Sequence, residues 1–254
     1  MRNTARDTGT DDLLESMTVD VSVYRAGKLL ATYPEFGEVR PEGMLEISAE
    51  TCPELGSDGE HLVLAQCSQK AGREYFPQEH QLIYEVPAHR TATTLLYDQI
   101  PVPVLGKTPS PIVLIAPKAW VSSELACWIV FATVASPIEE NGGFQSRPLE
   151  ITVLDHQGTV VASDERVVRD HDVVIFDVRE AVAGRPLSAK PVFFDVVARG
   201  GAGSFAIFTL LFNETTGACA IEHSLSPHYY ASRLERVRDE ALLFPGLGDV
   251  RSQA

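Results

Sequence analysis

Apolar and polar residues alternate along Thr18–Tyr24 (TVDVSVY), the period-two pattern of a strand with one buried face. Leu149–Leu154 alternates again, His61–Cys67 and Gln81–Val86 read as further strands, and Leu29–Tyr33 and Thr159–Ala162 read as returning strands. Shorter β-branched or apolar runs predict strands at Met44–Ile47, Thr91–Tyr97, Val173–Val178, Val192–Ala198 and Phe205–Phe212. The longest apolar stretch, Pro111–Ala135, reads as two strands, Ile112–Ala116 and Leu125–Ala135, joined in a hairpin. Its second run is almost continuously apolar, which predicts a strand covered on both faces.

Turn-forming residues separate these runs. Arg25-Ala-Gly-Lys28, Lys70-Ala-Gly-Arg73 and Asp155–Gly158 read as tight turns, and Cys52–Glu60 and Ser136–Pro148 as loops. Four prolines between Ile100 and Pro111 exclude both helix and central strand there. Arg179–Ala183 has room for one helical turn. A long helix is predicted near the end, where Tyr230, Leu234, Val237, Ala241 and Phe244 fall on one face and Pro245-Gly246 stops it.

Two stretches share an order of elements: strand, glycine turn, strand, polar stretch, strand. One starts at Val19 and the other at Leu149, with Gly27 matching Gly158 and Leu62 matching Val192. Glu79-His80 and Glu222-His223 form a weaker second match. The predicted fold is all-β: two related antiparallel β-sandwich, jelly-roll-like units with a C-terminal amphipathic helix. The expected divisions are a tail over residues 1–16, a first unit over 17–110, a second over 111–228 including the hairpin, and the helix over 229–245.

Composition narrows the partners. The chain has 254 residues, 35 acidic against 21 basic, for a net charge of −14. That balance argues against nucleic acid and against an anionic membrane, both of which need clustered Lys and Arg. No Cys-x-x-Cys pair occurs among Cys52, Cys67, Cys127 and Cys219, and no apolar leader opens the sequence, so a cytoplasmic protein is the expectation.

Catalytic signatures are sparse. No glycine-rich phosphate loop joins a strand to a helix, and no Gly-x-Ser-x-Gly elbow accompanies Ser224 or Ser226. The densest chemistry lies at Glu222, His223, His228, Tyr229 and Tyr230. Imidazole and carboxylate donors there, with His80 from the other unit, would suit Zn, Fe or Mn. The ordinary alternative is that they brace the entry to the helix. His89-Arg90 reads as a solvated strand end, with anion binding as the sharper reading. Asp170-His171-Asp172 reads as a solvated loop, with cation binding as the sharper reading.

The other candidate surface is aromatic. Trp120, Tyr229 and Tyr230 are the candidate ligand contacts, with Trp120 at the tip of the hairpin, where an indole stacks on a sugar ring or buries part of a peptide. The function expected is non-catalytic binding or assembly, with a glycan or protein partner and a homo-oligomeric state. A metal-dependent enzyme around Glu222, His223 and His228 is the alternative.

Overall fold

The computed structural model describes residues 2–3, 16–40, 43–68, 78–97, 112–134, 146–200 and 204–223. The predicted helix over 229–245, the turn at Lys70 and residues 136–145 of the predicted loop lie outside them, while Ser146–Pro148 of that loop opens a strand. Among the described residues the protein is built of antiparallel sheets and one four-residue α-helix. No helix among them is long and apolar enough to cross a membrane. The chain divides into two compact units: Met1–Ile83 with Thr94–Ile100 and His171–Val173, and Tyr84–Thr93 with Pro101–Asp170 and Val174–Ala254.

A two-residue β1 (Arg2–Asn3) pairs antiparallel with a later strand. In β2 (Met17–Arg25) the alternation is obeyed residue by residue. Met17, Val19, Val21 and Val23 are buried, while the residues between them are half-buried. Ala26 and Gly27 have φ of 48° and 76°, so a turn with two left-handed positions returns the chain into β3 (Lys28–Val39).

β3 runs six residues further than the alternation predicts. Its continuation carries Pro34 and a bulge opposite Asp20, whose Oδ1 accepts the Glu35 N–H at 2.7 Å. Proline is tolerated there because β3 is an edge strand. β4 (Leu62–Ser68) completes the sheet in the order β3-β2-β4. The strand predicted at Met44–Ile47 is absent: only an isolated bridge forms at Met44. Leu45 and Ile47 still pack on the core while Met44 is 71% exposed, so the alternation is real but no ladder forms. A 3-10 turn, Pro53–Gly56, lies in the predicted loop.

β5 (Gln78–Val86) and β6 (Thr91–Tyr97) form a sheet with β1 in the order β1-β5-β6. The boundaries of β6 are those the sequence predicts.

The central apolar stretch forms β7 (Ile112–Val121) and β8 (Leu125–Val134). They are not a hairpin. β7 pairs with β12 (Val192–Gly200) and β8 with β13 (Ser204–Asn213), in separate four-stranded sheets. The link is tight: Ser122 N donates to the Leu125 carbonyl, and Ser122 Oγ accepts from the N–H groups of Glu124 and Leu125. It carries the chain from one sheet to the other, because each strand finds a longer-range partner that buries its apolar face.

The first of these sheets has the order β10-β9-β12-β7, with β9 at Ser146–Leu154 and β10 at Val160–Arg169. The second has the order β11-β8-β13-β14, with β11 at Val173–Asp177 and β14 at Cys219–His223. Helix α1 (Val178–Ala181) follows β11 where one helical turn is expected. One core cluster draws on both sheets: Val121, Ile151 and Val196 from one, and Ile129, Phe131 and Ile207 from the other. Cys127, Ile129 and Phe131 are all at most 1% exposed, so one face of β8 is fully buried, while Trp128 and Val130 on the other face are half-buried, less covered than its unbroken apolar run predicts.

The two stretches that match in sequence agree in their hairpins but not in the register of the third strand. Val23 pairs with Val63, Val21 with Ala65 and Val19 with Cys67. Val153 pairs with Val196, Ile151 with Ala198 and Leu149 with Gly200, three residues beyond the positions that the Leu62–Val192 match implies. The hairpins agree. Tyr24 faces Leu29 and Val23 faces Ala31, leaving Leu30 bulged. Leu154 faces Val160 and Val153 faces Ala162, leaving Val161 bulged. Gly27 and Gly158 both have positive φ, 76° and 79°.

Candidate functional site

Trp120 lies inside β7, not at a hairpin tip, directly opposite Phe193 on β12. Its neighbours Ala119 and Val121 are fully buried, so alternation turns the indole to the outer face of the sheet. It is 41% exposed. Phe193 meets it edge to face, with ring centroids 5.3 Å apart and planes inclined at 62°. Val192, 44% exposed, adds apolar surface beside Phe193. β7 is the outermost strand of its sheet among the described residues. The indole is thus held by a ring on the neighbouring strand and still open to solvent. Such a platform can stack on a sugar ring or take an apolar side chain of a peptide.

The candidate metal ligands are only partly placed. Glu222 is exposed on β14, opposite Thr209, and His223 is the next residue of that strand, opposite Phe208. His80 belongs to β5. His228, Tyr229 and Tyr230 lie outside the described residues. Among the described residues no group of three or more His, Cys, Asp or Glu could hold a metal ion.

Asp170-His171-Asp172 is packed, not solvated, whereas His89 and Arg90 are exposed. Asp170 and Asp172 are only 5% and 6% exposed. His171, between them, has φ of 58° and stacks on Tyr24 with ring centroids 4.4 Å apart and planes 24° apart. The left-handed turn tucks the motif in, which composition alone does not reveal. His89 is exposed but sits over Gly217, where an added Cβ would lie 2.1 Å from His89 Cβ. The Thr91 hydroxyl donates to the Gly217 carbonyl beside it.

A further network holds one end of the second four-stranded sheet. Trp128 Nε1 donates to Asp177 Oδ2 at 2.9 Å, and Asp177 Oδ1 accepts the Glu180 N–H at 3.1 Å to cap α1. Arg179 grips Glu214 through both guanidinium nitrogens, which lowers the Glu214 pKa and raises that of Arg179. In the first unit the Tyr33 hydroxyl donates to Glu54 Oε2. This bond pushes Tyr33 up to about 12 and holds Glu54 below the usual carboxylate range.

Phe193 is the member of the aromatic site that sequence reasoning missed. Its strand is predicted, but its position opposite Trp120 depends on a pairing between segments about 70 residues apart in the chain, which no local pattern encodes. No protein-family model, curated protein or solved structure matches the chain.

Proposed function

We propose that the chain is a non-catalytic binding or assembly protein made of two related β-sandwich units, and that it engages a glycan or protein partner through the Trp120 platform. The observation that carries this reading is an indole 41% exposed on a sheet face and braced by Phe193. A large aromatic side chain in water contributes little to folding, whereas burying it against a ligand removes apolar area worth about 25 cal/mol per Å². The relatedness of the units is supported by the matching hairpin bulges at Leu30 and Val161 and by the positive φ at Gly27 and Gly158. Two sheets contributing to one core support the sandwich reading of the second unit.

The test is to apply the full chain to glycan and peptide arrays and to measure its metal content in parallel. The reading expects a saturable ligand and no dependence on metal. Turnover of a small substrate that requires a stoichiometric metal, lost with His223→Ala, would overturn it.

A further inference from the structure

The second four-stranded sheet is apolar on its outer face as well as its inner one. Cys127, Ile129 and Phe131 of β8 and Ile207 of β13 belong to the shared core, so the residues that alternate with them point the other way. The register sets these in rows. Trp128, Leu210 and Ile221 lie side by side across β8, β13 and β14, and Ala126, Phe212 and Cys219 form the next row. None of the six is charged. The first four-stranded sheet differs: its outer face carries Glu150, Thr152 and Arg199, the polar pattern of a sheet facing water.

Leu210 is buried although it points away from the shared core, and Trp128, Phe212 and Ile221 are half-buried. A sheet face of this composition requires a second layer over it. The sequence supplies a segment that fits. β14 lies at the edge of this sheet among the described residues and ends at His223. Six residues separate it from the stripe Tyr230, Leu234, Val237, Ala241 and Phe244. Six residues reach up to about 20 Å, enough to turn from the edge onto the face. A helix from Tyr230 to Phe244 would be about 21 Å long, against about 10 Å from β8 to β14. Glu235, Arg236 and Asp239 would fall on its opposite side, toward water.

We propose that residues 229–245 form an amphipathic helix that covers the outer face of this sheet in the same chain, laying its apolar stripe over the row of Trp128, Leu210 and Ile221. The short tether favours the chain's own segment over one from a second copy, because it holds the stripe at high effective concentration beside the face. An isolated helix of this length is marginal in water, so the sheet face and the stripe stabilise each other.

The test uses the full chain with Trp120→Phe, which leaves Trp128 as its one tryptophan. Its fluorescence is compared with and without the added pair Leu234→Glu and Val237→Glu. With the pair present we expect Trp128 emission to shift to the red and its quenching by acrylamide to rise, equally at every protein concentration. Should that chain fail to fold, amide exchange of the wild type decides the matter. Residues 230–244 should exchange at least about tenfold more slowly than an isolated helix of that length, and Ile221→Ala should speed them at least about threefold. Trp128 fluorescence that the pair leaves unchanged, unprotected amides at 230–244, or exchange that Ile221→Ala does not alter would overturn the proposal. Protection that appears only as concentration rises would overturn it too, because the cover would then come from a second copy. None of these readouts needs a ligand, so failure here is distinct from failure of the Trp120 reading.

Discussion

Trp128 and Asp177 join neighbouring strands of one sheet, the indole N–H donating to Oδ2 at 2.9 Å. The same carboxylate caps α1 through Oδ1, and Phe212 closes on the indole edge to face at 4.7 Å. Asp177→Ala removes the hydrogen-bond acceptor and the cap together. A loss of about 2–3 kcal/mol in urea unfolding is expected, from one charge-assisted hydrogen bond and one N-cap. Asp177→Asn retains an amide oxygen for one of the two bonds and should lose clearly less. Equal losses in both variants would mean that the carboxylate's two contacts are not what stabilises this end of the sheet.

Gly217 pairs a left-handed backbone, φ 69°, with direct contact from His89. Gly217→Ala meets both obstacles, and a loss of about 2–4 kcal/mol is expected from strain and overpacking combined. Adding His89→Gly removes the colliding Cβ and should restore part of that loss, leaving the strain. Thermal unfolding of the three proteins reads this directly. A Gly217→Ala protein as stable as wild type would contradict the packing of the 3-10 turn Pro87–His89 on this loop.

The Tyr33–Glu54 pair makes stability depend on pH at both extremes. Tyr33 is raised from 10.0 to about 12, so the folded state holds its proton more tightly. Its contribution is complete below pH 10 and is lost as pH rises through about 12. Glu54 and Glu214 are lowered, so their contributions are present above the ordinary carboxylate pKa and are lost as pH falls through the depressed values. Tyr33→Phe should flatten the alkaline limb and remove the tyrosinate absorbance that titrates at about 12. An unchanged alkaline titration would contradict the bond.

Thiol reactivity reports burial. Burial pushes Cys127 up to about 12 and Cys67 up to about 11, and it raises Cys52 as well. The thiolate is the reactive form, so all three should resist a thiol reagent at pH 8 in the native protein and react once it is unfolded. Mass spectrometry of the modified peptides separates them. Modification of Cys127 in native buffer on the timescale of an exposed thiol would contradict the burial of the inner face of β8.

Local elements were legible and partnerships were not. Alternation located β2 because one buried face imposes period two on a strand by itself, and short apolar or β-branched runs located β4, β6 and β12. The glycine turns at Gly27 and Gly158 were legible for an equally local reason, a positive φ. The placement of β7 and β8 in different sheets was not legible, since two apolar runs with a polar link look the same whether they pair or part. That error put Trp120 at a tip and hid Phe193. The burial of Asp170 and Asp172 was missed for a related reason: polar composition reports solvent preference, and a tight left-handed turn overrides it.

Trp120 is the centre of the proposed ligand platform. The direct measurement is calorimetric titration of wild type and Trp120→Ala with the strongest ligand from the arrays. We expect affinity to fall at least about tenfold in the variant, a difference of ~1.4 kcal/mol, while thermal unfolding stays within a few degrees of wild type. Equal affinities in the two proteins would contradict the placement of the binding site on this face of the sheet.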